Sequence, residues 1–204
     1  MPLTSPLLTA FCAFCACTAG PSQSREPGTL TVQIEMTVER GLASHVIQAI
    51  ARNEASAIWK IYGVDLKWSD SGAGAALHLD VFVESHQADA VLNRTPGVLG
   101  RTMIDRAGVV RGPIRIFVDA IESLLPPESS NPVLHNLELA TVLGRVLAHE
   151  LGHALLGTPT YHDPDGLMRT NFTGAELTRR DRRVFQLAER SAERLRARIV
   201  RCAF

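Results

Sequence analysis

The chain has 204 residues, 46% of them hydrophobic and 21% charged, and its 21 basic and 21 acidic side chains give a formal net charge of zero. That length suits one globular domain with a removable leader, large enough to fold without a structural metal or a disulfide framework. The balanced charge gives no basic field of the kind that draws nucleic acid or an anionic membrane surface.

The first predicted element is a leader. Leu7 to Cys17 is an eleven-residue apolar run, which fits a signal-peptide core and is too short to span a bilayer. Polar, small and Pro-rich sequence follows to Gly28, with a cleavage point after Ala19. Met1 to Leu7 lacks the usual Lys or Arg. A lipoprotein signal, with Cys15 or Cys17 lipidated, and a buried N-terminal segment are the alternatives. The expected organisation is residues 1–28 as leader and linker and 29–204 as the domain. The mature chain is expected to be exported (periplasmic or secreted), without an integral span, and monomeric. Only Cys202 would remain in it, so no internal disulfide could form.

Leu30 to Val38 alternates apolar and polar residues, which predicts a strand. Leu42 to Tyr62 predicts a helix with Val46, Ile50, Ala57, Ile58 and Ile61 on one stripe and Gly63 as its stop. Val64 to Trp68 and Leu77 to Val83 predict strands around a turn at Ser69 to Gly74. Gly97 to Ile104 and Ile114 to Val118 predict two more, and Pro126 to Pro132 a loop. Leu137 to Leu156 predicts a long helix capped near Asn136 and ended by Gly157. Thr158 to Thr170 is a loop. Thr173 with Glu176 forms a capping box, predicted to open a last helix to about Val200. Its stripe is Leu177, Val184, Ala188, Leu195 and Ile199, and its arginines read as a solvated face. The order of elements predicts an α+β fold, a mixed twisted sheet with helices packed on it.

The chemistry concentrates in the long helix, at His149-Glu150-Leu151-Gly152-His153. Residues four apart lie about 40° apart around a helix and about 6 Å along it. The two imidazoles can therefore meet one metal, while Glu150 can reach a water on it without being a ligand. Val142, Val146, His149 and His153 share one stripe, so the histidines extend an apolar face and point inward, where an imidazole needs a partner. A catalytic zinc takes a third protein ligand. His162, just past the Gly157 stop, is the first candidate; Asp163, Asp165 and Glu176 are alternatives. Tyr161 is a candidate oxyanion donor. His45, His78, His86 and His135 lack ligand spacing and read as structural or surface residues.

Together, His149, Glu150, His153, Gly157, His162 and the turn Gly166-Leu167-Met168-Arg169 resemble the metzincin metallopeptidases. Those carry H-E-x-x-H-x-x-G-x-x-H and then a turn with a Met beneath the metal. Here the glycine comes one residue late and the third His three residues late. His162-Asp163-Pro164-Asp165-Gly166-Leu167-Met168-Arg169 is similar to the segment found in small exported bacterial proteins of that kind. The resemblance implies Zn²⁺ on His149, His153 and His162, with Met168 supporting the site. It implies peptide-bond hydrolysis by metal-activated water with Glu150 as general base, on a peptide or protein substrate. It also implies an edge strand over the cleft that pairs with substrate, for which Gly97 to Ile104 is the candidate. An exported zinc-binding module without peptidase activity is the alternative.

Overall fold

The computed structural model describes residues 29–68, 75, 77–85, 97–125, 131–158 and 161–202. The expected leader with Cys12, Cys15 and Cys17, the turn expected at Ser69 to Gly74, His86 and Pro159 lie outside the described residues.

Five strands form one sheet: β1 (Leu30–Val38), β2 (Val64–Trp68), β3 (Leu77–Glu84), β4 (Gly100–Arg101) and β5 (Ile114–Phe117). Their order is β2-β1-β3-β5-β4. All neighbours run parallel except β4, which pairs antiparallel with β5 at the edge. The sheet is therefore mixed, and the fold is α+β as expected. The alternation of β3 shows why the strands lie as they do: Leu79, Val81 and Val83 are buried, while His78, Asp80 and Phe82 are exposed. The inner set joins one core with the faces of α1 (His45–Lys60) and α3 (Pro132–Leu156). No helix among the described residues is long and apolar enough to cross a membrane.

The α1 stripe departs from expectation. Val46 and Ile61 are 67% and 62% exposed, while Ile47, Ala51, Glu54, Ala55 and Ile58 face inward. The buried face contains a charge, so a search for apolar period passes over it. Glu54 is held by Arg145 of α3, whose Nε donates at 2.9 Å, and by Arg182, whose Nε donates at 2.8 Å. Arg145 also donates to the Leu177 carbonyl at 2.7 Å and lies over the Phe185 ring. Burial pulls the Arg145 pKa down against the support of Glu54.

The long helix starts five residues earlier than predicted. Asn131 caps it, its side chain accepting from the Val133 and Leu134 amides, and Pro132 takes the first turn, where its missing N–H costs nothing. Gly157 ends it in the left-handed conformation, φ 65°. Ile114 to Val118 divides between β5 and a short helix, α2 (Val118–Glu122). Of Gly97 to Ile104 only Gly100–Arg101 is ladder strand; Ile104 makes a single bridge to Val110 across a turn organised by Asp105.

The predicted last helix is three pieces. The capping box at Thr173 and Glu176 opens α4 (Gly174–Leu177) as expected, but α4 stops at Thr178. A single 3-10 turn follows at Arg183–Phe185, then α5 (Glu189–Cys202). In the broken stretch Arg182 reaches Glu54, and Phe185 lies under Arg145. The arginines are not all solvated: Arg190 and Arg194 lie over the Tyr161 ring, and Arg198 donates to the Gly108 carbonyl.

Candidate metal centre

The last two turns of α3 carry His149 and His153 inward, continuing the buried face of Val142 and Val146. Trp59 of α1 fixes this stretch by donating its Nε1 hydrogen to the Ala148 carbonyl at 3.1 Å. Beyond Gly157 the chain doubles back and lays the His162 ring parallel to His149, centroids 5.5 Å apart, and perpendicular to His153 at 5.0 Å. One ring nitrogen from each of the three lies within 4.8 Å of the others.

The protonation of the first two rings follows from their partners. Nδ1 of His149 faces the Leu167 carbonyl at 2.8 Å, and Nδ1 of His153 faces the Thr158 carbonyl at 2.9 Å. A carbonyl only accepts, so each Nδ1 carries the hydrogen and each Nε2 a lone pair. The two Nε2 atoms are 3.2 Å apart. Two lone pairs that close repel unless a cation sits between them. Burial, helped by the neighbouring His153, pushes the His149 pKa down to about 4. Burial also lowers that of His153. The rings are thus neutral near pH 7, the form that binds metal. Two nitrogens about 2.05 Å from a tetrahedral centre lie about 3.3 Å apart, so the observed spacing fits zinc. The backbone carbonyls are the outer partners that orient such ligands.

Of the candidate third ligands, the structure brings only His162 to the pair. Asp163 is buried elsewhere, accepting from the Tyr161 hydroxyl and from Ser191 of α5. The hydroxyl of Tyr161, the candidate oxyanion donor, is engaged in that contact with Asp163. Asp165 is exposed. Glu176 is held by Arg169 at 2.7 Å and by Thr173, and these bonds pull its pKa down to about 2. Met168 is fully buried beneath the helix, packed on Gly152: a Cβ there would lie 2.3 Å from its sulfur. An exposed trio of Glu35, His78 and Asp80 on the outer sheet face has none of this enclosure.

Glu150 stands on the other side of the histidines, buried against the edge strand. Burial pushes its carboxyl up to about 7, offset by a hydrogen bond from Thr102 and the charge of Arg101. His149, Glu150, His153 and His162 open into one cleft of about 540 Å³. Gly97 to Thr102 form one wall, and Leu124, Val146, Phe172 and Leu177 line the apolar remainder. Sequence reading missed Thr102, Arg145 and the Leu167 and Thr158 carbonyls; no spacing in the chain points to any of them.

No family model and no curated protein matches the sequence. Among solved structures the chain is similar in fold to archaemetzincin from Methanopyrus kandleri, with a TM-score of 0.50 and 15% identity. The match covers 86% of this chain and 98% of that one. At this identity the likeness is one of fold, an α+β architecture similar to that structure's; the histidine cluster, able to hold a metal, is this chain's own.

Proposed function

We propose that the protein is a zinc-dependent endopeptidase of the metzincin type, with His149, His153 and His162 as ligands and Glu150 as general base. One observation carries this reading: the neutral imidazoles of His149 and His153 converge with His162 beside a buried carboxyl that burial pushes up to about 7. A group poised near the working pH can both take and give a proton. Bound zinc supplies Lewis acidity, polarising a carbonyl and acidifying water at neutral pH.

The chain's own groups do the rest. Glu150 takes a proton from the attacking water and returns it to the leaving amine. The Leu167 and Thr158 carbonyls hold the two imidazoles in register. Met168 packs under Gly152 and supports the helix from below. β4, last in the strand order, runs along the cleft wall, where an extended peptide could pair with its outer edge, which no strand among the described residues covers. The apolar run at Leu7 to Cys17 supports export to the periplasm or exterior, with cleavage after Ala19 or lipidation at Cys15 or Cys17.

Metal analysis and a quenched-peptide library test the proposal. The purified protein is expected to carry one zinc, lost in His149→Ala. Glu150→Gln should keep the zinc and cleave nothing. A metal-free wild type overturns the reading, and zinc without cleavage of any peptide makes the protein a binding module instead.

A further inference from the structure

The base itself is held, and the holder is on the edge-strand segment. Thr102 lies one residue past β4. Its Oγ1 is 2.7 Å from Oε2 of Glu150 and 3.0 Å from the backbone carbonyl oxygen of the same residue. Among the described residues no other group donates to that carboxylate. On the same segment, a Cβ on Gly100 would lie 2.7 Å from Cγ of Glu150 and 3.0 Å from its Cδ. The strand is therefore pressed along the side chain, leaving it little freedom to turn toward β4.

We propose that Thr102 is a positioning residue for Glu150: its hydroxyl takes up Oε2, fixes the carboxylate plane and reserves Oε1 for proton transfer in the cleft. The inference rests on the peptidase reading. A glutamate free to rotate would spend part of its time in unproductive rotamers, and restraining it beforehand lowers the barrier entropically. The contact can persist through turnover. With the carboxylate ionised, the Thr102 hydrogen goes to Oε2; once Oε1 holds the transferred proton, Oε2 is still an acceptor and keeps that hydrogen. Position 102 thus requires a hydroxyl, which only Ser shares at this size.

Thr102→Val keeps the shape and removes the hydroxyl; Thr102→Ser keeps the hydroxyl and removes the methyl. A hydrogen bond to a charged group lost at the transition state corresponds to roughly a 10- to 100-fold fall in kcat. That fall is expected in Thr102→Val, with KM, zinc content and melting temperature retained and with most of the activity restored in Thr102→Ser. Carboxyl ¹³C NMR of the zinc-free protein gives a readout apart from turnover. The Glu150 signal, assigned by its absence in Glu150→Gln, is expected to move in Thr102→Val and to stay in Thr102→Ser. Full turnover in Thr102→Val with an unmoved carboxyl signal overturns the inference and leaves the peptidase reading standing. A wild type that cleaves nothing overturns the peptidase reading, while the NMR comparison still decides the clamp. If Thr102→Val fails to fold, Thr102→Ala and Thr102→Ser decide: equal losses in both make the methyl, not the hydroxyl, the important group and overturn the inference.

Discussion

Replacing Glu54 with Ala removes the partner of a cation that cannot reach water. The Arg145 side chain is 2% exposed and that of Glu54 8%, and they meet at 2.9 Å. Breaking such a pair from one side leaves an uncompensated buried charge, which costs roughly 3–5 kcal/mol. The structure supplies its own control. Arg182 binds the same carboxylate at 2.7 Å, but its side chain is 55% exposed, and its loss leaves Glu54 still paired with Arg145. Arg182→Ala should cost less than about 1 kcal/mol. The assay is urea unfolding under chelator, so that metal linkage does not mask the difference. With a slope near 2 kcal/mol/M, Glu54→Ala should lower the midpoint by about 1.5–2.5 M. Glu54→Leu with Arg145→Met replaces the pair with apolar side chains and should recover most of that loss. Recovery should fall short of complete, since the Leu177 carbonyl then loses its 2.7 Å donor. A Glu54→Ala midpoint no lower than that of Arg182→Ala would refute the reasoning.

Three further outcomes are expected. Gly152→Ala should destabilise by roughly 1–3 kcal/mol through collision with the Met168 sulfur, although Ala is the better helix former by about 1 kcal/mol; a raised melting temperature would refute the packing account. Asp163→Ala should weaken zinc binding about tenfold or more by untying the His162 loop from Ser191; chelator competition giving wild-type affinity would show the tie is idle. In zinc-free protein, His149 and Glu150 pull the pH dependence in opposite directions. The His149 pKa falls from 6.5 to about 4, so its stability contribution is complete above 6.5 and lost as pH drops toward 4. The Glu150 pKa rises from 4.5 to about 7, so its contribution is complete below 4.5 and lost as pH rises through 7. Zinc-free Glu150→Gln should therefore lose melting temperature between pH 7 and 4 more steeply than zinc-free wild type; equal slopes would contradict the assignment.

Features legible in the chain are those whose partners are near in sequence. His149 and His153 share a face because helix geometry puts residues four apart together. Thr173 and Glu176 cap α4 within a single turn, and Gly157 ends α3 by its own backbone freedom. His162 was open to doubt because a loop of uncertain course separates it from the pair; only its folding back onto His149 chose it over Asp163, Asp165 and Glu176. The inward face of α1 was misread because Glu54 looks like a surface residue until Arg145, 91 positions away, neutralises it. The last helix reads as continuous from the chain because its apolar spacing carries through Val184 and Ala188, yet it folds as three pieces. At its break Arg182 meets a carboxylate 128 positions away. Thr102 carries no signal at all, since its meaning is a 2.7 Å contact with Glu150. The helix that pairs His149 with His153 and the α+β class can be read from the chain alone, because periodicity and capping act within a few residues. The place of His162 beside the pair, the tautomers and the Thr102–Glu150 contact are decided by tertiary structure, because each depends on a partner that only folding brings close.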